Sequence, residues 1–135
     1  MSEDGLVPWL RAEIEADRRA ANVKIIREHW HVDAAEDWAA GTGIVNERGT
    51  GVAVANGGYA AAHIVRHDPL DALADCESKL SVLDLCERVI GDDEHAHDDC
   101  GAASSWTGLA IARLTVRRMA YGYRHRPGYN GDWQA

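Results

Sequence analysis

The longest regular pattern of apolar and polar positions in the chain covers residues 69–90. Apolar residues recur there at alternating steps of three and four, and charged residues mostly occupy the other positions, which predicts an amphipathic helix. The apolar stripe consists of Leu73, Cys76, Leu80 and Leu83, continued by Cys86 and Ile90. Asp68 is suited to cap the first turn, Pro69 fits the first helical position, and Gly91 is the expected stop. We expect the other segments to pack on this helix.

Shorter patterns predict the remaining elements. Leu6, Leu10 and Ile14 recur at steps of four, as on one face of a helix, whereas Ile44-Val45 and Val52-Ala53-Val54-Ala55 flank a turn and predict a β-hairpin. The predicted order is a helix at 4–28, a hairpin region at 29–57, a short helix at 58–67, the long helix at 69–90, an acidic loop at 91–103, a helix at 104–121 and a tail at 122–135. Tyr129 and Trp133 in the tail suggest that it is pinned to the body.

These segments together predict an α-dominated α+β fold. The chain of 135 residues is expected to form a single domain, 1–135, with three main helices, one short helix and a small antiparallel β-hairpin. At most three short strands are available, which is too few for an independent sheet. The hairpin is therefore expected to lie against helices.

Charge and cysteine content narrow the class of protein. The net charge is −8, and it is divided unevenly: residues 1–101 hold nine Lys and Arg against 21 Asp and Glu, whereas residues 102–135 hold five Arg against one Asp. An acidic body disfavours non-specific binding of nucleic acid. No apolar run approaches the length of a membrane span, and three cysteines do not make a disulfide framework. We expect a cytoplasmic protein with reduced thiols and no membrane partner.

The stripe of the long helix has two interpretations. A repeat close to 3.5 residues is typical of a seam between paired helices, so Leu73, Cys76, Leu80 and Leu83 are candidate interface residues of a homodimer. The repeat lasts for less than three heptads, however, and the core face of a small domain has the same pattern. The sequence leaves both open.

The acidic loop contains the first candidate metal site. His95, His97 and Cys100 stand at close spacing among carboxylates, and imidazole and thiolate are ligands that zinc prefers. No matching second pair of ligands follows downstream, whereas a closed structural zinc site needs four. The alternative is a solvated acidic loop. Zinc is thus a candidate cofactor, although the sequence does not require any cofactor.

A second candidate metal site precedes the long helix. His63 and His67 are four residues apart on the predicted short helix and are followed by Asp68, a pattern similar to the His-Asp pair of metal-dependent phosphohydrolases. The alternative is that one histidine packs or caps the short helix while Asp68 caps the next helix. His29 and His31 flank Trp30 on an extended segment and could join a metal cluster or form an exposed strand face. No catalytic serine or cysteine signature is present, and we assign no catalytic residue.

Several longer stretches resemble a known family. They are DGLVPWLRA at 4–12, WHVD at 30–33, DWAAGTG at 37–43, AAAHIVRHDP at 60–69 and AYGYRHRPGYNGDW at 120–133. Together they resemble a family of small proteins of unknown function carried by actinobacteria and their phages, and more distantly phage accessory proteins of the Ead type. The resemblance implies a host cytoplasm and a mobile-element origin. It also implies zinc-ligating cysteines before the last helix, of which this chain retains only Cys100, with Trp106 near the place of another.

Three functions are compatible with these observations. The first is a non-enzymatic binding or regulatory protein that acts through protein contacts, associates with itself and has a host protein as a further partner. The second is a small metal-dependent phosphohydrolase that uses His63, His67 and Asp68, either alone or together with the loop of His95, His97 and Cys100. The third is an acidic mimic of nucleic acid that inhibits a host protein.

Overall fold

The computed structural model describes residues 5–22, 29–33, 41–95 and 103–134, with the side chains of 93–95 and 103–106 left aside. Its elements are α1 (Leu6–Ala21), β1 (Trp30–Val32), β2 (Thr42–Asn46), β3 (Gly51–Ala55), α2 (Gly58–Val65), α3 (Pro69–His95) and α4 (Ala103–Gly122), followed by a short 3-10 helix at Gly131–Trp133. The α-dominated α+β fold is confirmed. No described helix combines the length and apolar character that crossing a bilayer requires.

Contacts group the chain into two compact units. The central unit comprises residues 17–76, and the terminal unit comprises residues 1–16 together with residues 77–135. Both divisions fall inside helices, so the end of α1 and the first two turns of α3 belong to the central unit. The single domain of residues 1–135 stays a prediction.

The central unit contains a three-stranded antiparallel sheet in the order β1-β2-β3. The predicted hairpin corresponds to β2 and β3, and β1 adds a third strand by pairing Trp30 with Asn46 and Val32 with Ile44. Helix α2 contacts all three strands, and Ile44, Ala55 and Ala61 form a small core between them. The sheet is therefore covered by a helix, as expected for a sheet too small to be stable alone.

The terminal unit buries one face of each of its helices. The buried residues are Leu6, Leu10 and Ile14 of α1, Leu80, Leu83 and Cys86 of α3, and Leu109, Ala112, Val116 and Ala120 of α4. Arg11 of α1 forms ion pairs with Asp84, at 2.6 Å, and with Glu87 of α3. These charged pairs link α1 to α3 within this unit.

Helix α3 is longer than predicted. It begins at Pro69 as expected but continues through Gly91 to His95, so the expected stop at Gly91 and the start of the acidic loop at residue 91 are wrong. Glycine ends a helix when it adopts a left-handed conformation, and Gly91 has no positive φ. Inside a helix a glycine costs only about 1 kcal/mol relative to alanine, which a long helix tolerates.

The predicted first helix ends earlier in the described chain. Helix α1 covers Leu6–Ala21, and residues 23–28 of the predicted helix lie outside the described residues. The predicted short helix also ends earlier, at Val65. His67 therefore lies in the turn after α2, with its backbone N–H donating to the carbonyl of Ile64.

An aromatic cluster joins the tail to the first helix of the terminal unit. Trp9 packs against Tyr129 and Trp133, with ring centroids 5.7 and 5.2 Å apart, and its indole N–H donates to the carbonyl of Pro127 at 3.1 Å. Gly128 has φ +84°, and a Cβ there would come within 2.9 Å of the Trp9 ring nitrogen. The turn before Tyr129 thus needs glycine for its conformation and for the close approach of Trp9.

Replacement of Trp133 by alanine is expected to lower the free energy of unfolding by about 3 kcal/mol. The change removes a buried indole from this cluster and leaves a cavity that the neighbouring rings fill only in part. Urea unfolding followed by circular dichroism measures the loss. The matched control is Tyr59→Ala, which removes an almost fully exposed ring and should change stability by about 0.5 kcal/mol at most. Equal losses in the two variants would contradict the buried role of Trp133.

Candidate functional sites

Asp68 is the buried charged residue among the described side chains, with 2% of its surface exposed. Its Oδ1 accepts the backbone N–H of Asp71 at 2.8 Å, which is the capping bond predicted for the start of α3. Its Oδ2 accepts the backbone N–H of Trp30 at 3.3 Å and Nδ1–H of His29 at 2.9 Å. One carboxylate therefore caps α3 and also holds the start of β1, within the central unit.

The protonation of this pair follows from its surroundings. Burial raises the pKa of the Asp68 carboxyl group, but the hydrogen bonds from Asp71, His29 and Trp30 together outweigh burial, so the pKa lies below its usual value. The hydrogen bond to Asp68 and the charge of Asp68 raise the pKa of the exposed His29. The two groups thus stabilise each other as an ion pair.

The predicted grouping of His63, His67 and Asp68 is only partly assembled. The rings of His63 and His67 meet edge to face with centroids 4.8 Å apart, and both side chains are exposed. Asp68 contacts His29 instead. Among the described residues, the structure brings together a different set of candidate metal ligands, His29, Asp68 and Asp71, whose ligand atoms all lie within 4.8 Å of one another.

The sequence predicts a metal cluster or an exposed strand face for His29 and does not pair it with Asp68. The two residues are 39 positions apart, and no local spacing indicates that they meet. The chemical reason for the pairing is that a buried N-cap aspartate requires further donors, and the burial of Asp68 is a property of the fold. His31 is exposed on β1, opposite Val45 of β2.

The predicted zinc site of the acidic loop lies mostly outside the described residues. His97 and Cys100 lie outside the described residues, and His95 is the last residue of α3. Zinc binding by His95, His97 and Cys100 therefore stays a prediction. Cys76 and Cys86 are buried thiols, and burial raises the pKa of Cys86, which makes that thiol a poor nucleophile.

The central unit also contains an open groove of about 610 Å³. It runs along the last turns of α1 and the first two turns of α3, with Pro69, Ala72 and Cys76 among its apolar lining. Its charged lining is one arginine, Arg66, against three carboxylates, Asp17, Asp71 and Asp75. Asp71 thus belongs both to the groove and to the cluster at Asp68.

Most of the predicted interface stripe on α3 is buried. Cys76, Leu80 and Leu83 are buried, and Leu73 is half-buried. Self-association along this stripe stays a prediction. Exposed apolar side chains lie on other faces, namely Val82 and Leu85 of α3 and Ile111, Leu114 and Tyr121 of α4.

Comparison with known proteins identifies one relationship. The model of DUF6221, a family of unknown function, matches residues 3–135. No curated protein and no solved structure matches the chain.

Replacement of Asp68 by alanine is expected to cost about 2–3 kcal/mol of unfolding free energy. The change removes the cap of α3 and leaves the backbone N–H of Trp30 without its acceptor. Asp68→Ser is the matched variant, because its hydroxyl group can still cap α3, and it should recover about 1 kcal/mol. Urea unfolding at neutral pH measures both, and equal losses would show that capping contributes nothing.

The contribution of His29 should depend on pH in a defined direction. Because the folded pKa of His29 is raised, its stabilisation is complete below the unfolded value of about 6.5 and is lost as the pH rises through the folded pKa. Because the folded pKa of Asp68 is lowered, its stabilisation is present above about pH 4 and is lost as the pH falls through the folded pKa. The pair is therefore most stabilising between these limits.

We expect the difference in unfolding free energy between the wild type and His29→Gln to be larger at about pH 5.5 than at about pH 8.5. Glutamine keeps a hydrogen-bond donor but cannot become charged. Urea unfolding in buffer containing EDTA measures the difference at the two pH values. His31→Gln, on the same strand, should show no such trend. A difference that stays constant across this range would contradict the ion pair.

Proposed function

Since the chain belongs to DUF6221, a family of unknown function, we propose its role from its own surfaces: a non-catalytic binding or regulatory protein that acts through protein contacts and associates with itself as a dimer. The observation that carries this proposal is an apolar stripe on the exposed side of α4. A cytoplasmic setting, a host protein partner and a phage or prophage origin belong to the proposal too, and the support for the origin is the sequence resemblance alone.

Helix α4 has apolar residues on two opposite faces. Leu109, Val116 and Ala120 are buried on one face. Ile111, Leu114 and Tyr121, which we call the α4 stripe, are 59%, 47% and 44% exposed. At 100° per residue, these three positions span roughly 80° of the helix circumference, on the side away from the buried face. Single exposed apolar residues are ordinary, but three on one stripe are typical of a contact surface.

A second, smaller apolar surface lies on α3. Val82 and Leu85 are one turn apart and exposed, Leu85 by 54%, on the side of α3 away from Leu80 and Leu83. We call this pair the α3 patch. Helices with apolar residues on opposite sides typically bury one side in their own core and the other against a partner.

Charge complementarity supports a second copy as the partner. Helix α4 contains Arg113, Arg117 and Arg118 and no acidic residue. Helix α3 contains eight acidic residues against Lys79 and Arg88. Arg118 lies beside the α4 stripe, which is thus a basic apolar surface, and α3 as a whole carries an excess of negative charge that favours its approach. If each copy supplies both surfaces, a two-fold arrangement closes the assembly at a dimer.

The phosphohydrolase alternative has less support. It requires His63, His67 and Asp68 to face one ion, but the rings of His63 and His67 contact each other, whereas Asp68 contacts His29. The nucleic-acid mimic has no specific observation in its favour, because acidic residues of α3 such as Asp84 pair with Arg11. We therefore retain protein contact as the proposed function.

A single charge in the α4 stripe should weaken self-association. We expect the wild type to gain mass with concentration in sedimentation equilibrium, and Leu114→Glu to raise the dimer dissociation constant at least about tenfold, because a carboxylate would be desolvated in an apolar contact. The matched control is Ala12→Glu, which adds the same charge at an exposed helical position of α1. A wild type that stays monomeric at its highest soluble concentration would contradict self-association.

Mixing two defective variants tests the pairing of the two surfaces. Leu114→Glu places a negative charge in the α4 stripe, and Leu85→Lys places a positive charge in the α3 patch. Each variant alone should be monomeric, whereas an equimolar mixture should form a heterodimer in which one contact is a new Glu-Lys pair and the other is unchanged. Failure of the mixture to associate, with a dimeric wild type, would show that the α4 stripe does not face the α3 patch.

A further inference from the structure

A mixed set of metal-ligating atoms lies at the start of α3, apart from the surfaces that carry the proposed function. His29 Nδ1, a carboxylate oxygen of Asp68 and one of Asp71 all lie within 4.8 Å of one another. Imidazole together with carboxylate is a donor set that divalent transition metals accept, whereas Mg²⁺ and Ca²⁺ prefer oxygen ligands alone.

The buried member of the set is held in a fixed orientation. Backbone N–H groups of Asp71 and Trp30 donate to the two oxygens of Asp68. Hydrogen bonds of this kind orient ligating carboxylates in metal sites and leave a second lone pair on each oxygen. His29 and Asp71 are exposed, so their side chains can adjust around an entering ion.

We propose that His29, Asp68 and Asp71 bind a divalent transition-metal ion such as Mn²⁺ or Zn²⁺. His29 Nδ1 and Asp68 Oδ2 are 2.9 Å apart. Two ligands that are each about 2.1 Å from an ion and subtend a right angle at it are about 3.0 Å apart, so the pair already has the spacing of adjacent octahedral ligands. Asp71 would complete one face of the octahedron, and water the open positions.

Charge balance allows the exchange of a proton for the ion. The ion takes the place of the proton that now joins His29 to Asp68, so His29 binds as a neutral imidazole and the two carboxylates balance the double positive charge. The N-terminus of α3 carries roughly half a positive charge, which opposes a cation but is smaller than the charge of two carboxylates. The site should therefore bind an ion with moderate rather than high affinity.

The test is a titration of the full chain, stripped with EDTA and dialysed, with Mn²⁺ at neutral pH. Electron paramagnetic resonance of the free ion measures binding, and we expect one saturable site with a dissociation constant below about 1 mM. His29→Ala and Asp71→Asn should each raise that constant at least tenfold. Asp71→Asn keeps the backbone N–H that caps α3, so its fold should be retained, which circular dichroism checks. Zn²⁺ should displace Mn²⁺, and Mg²⁺ should do so only at far higher concentration.

Two control variants separate this site from the other histidines. His63→Ala removes one of the paired exposed rings, and His97→Ala removes a ligand of the predicted loop site. Both should bind Mn²⁺ within about twofold of the wild type. The proposal is overturned if His29→Ala and Asp71→Asn bind as the wild type does, if only His63→Ala or His97→Ala loses the site, or if binding does not saturate.

Discussion

The central unit depends on a carboxylate that is removed from water. A buried aspartate is tolerated only when its oxygens are hydrogen-bonded. Asp68 accepts hydrogen bonds from Asp71 in the first turn of α3 and from His29 and Trp30 at the start of β1. The apolar core beside it is small, since Ile44, Ala55 and Ala61 are its buried members. The polar contact that joins β1 to the start of α3 therefore does more to fix their relative positions than it would beside a larger core.

The same carboxylate has two roles with different requirements. As a cap it needs only the backbone N–H of Asp71, which any short polar side chain could accept. As the partner of His29, Asp68 places an ionisable imidazole close to a second carboxylate, that of Asp71. A proton or a metal ion can bind between such groups. A serine cap would make α3 begin at the same residue but would provide no such site.

The exposed surfaces of the terminal unit combine apolar side chains with charged ones. Helix α4 is apolar on two faces, and its own core uses only the face that contains Leu109 and Val116. The exposed face combines Leu114 with the nearby Arg118, whereas α3 is predominantly acidic. Opposite charges beside apolar patches favour encounter and orientation, and the apolar contact supplies most of the affinity. In the proposed dimer, the uneven charge along the sequence would help to orient the two copies.

Local patterns in the sequence determined much of the fold. The start of α3 at Asp68-Pro69 depends on capping within four residues, and the α-dominated α+β class depends on apolar periodicity within each segment. The stop expected at Gly91 is wrong because glycine ends a helix when its backbone turns left-handed, which composition does not reveal. His67 was placed on α2 for a similar reason, since spacing of four residues does not show where a helix ends.

What only the tertiary structure decided is which distant residues meet. The pairing of His29 with Asp68 spans 39 positions, and the packing of Trp9 against the tail spans more than 110, so neither has a local signal. The stripe on α3 illustrates the same limit, because core and interface have the same periodicity and only burial within one chain distinguishes them. The sequence by itself thus determined the elements and the N-cap of α3, through contacts of a few residues. The sites were decided by long-range packing.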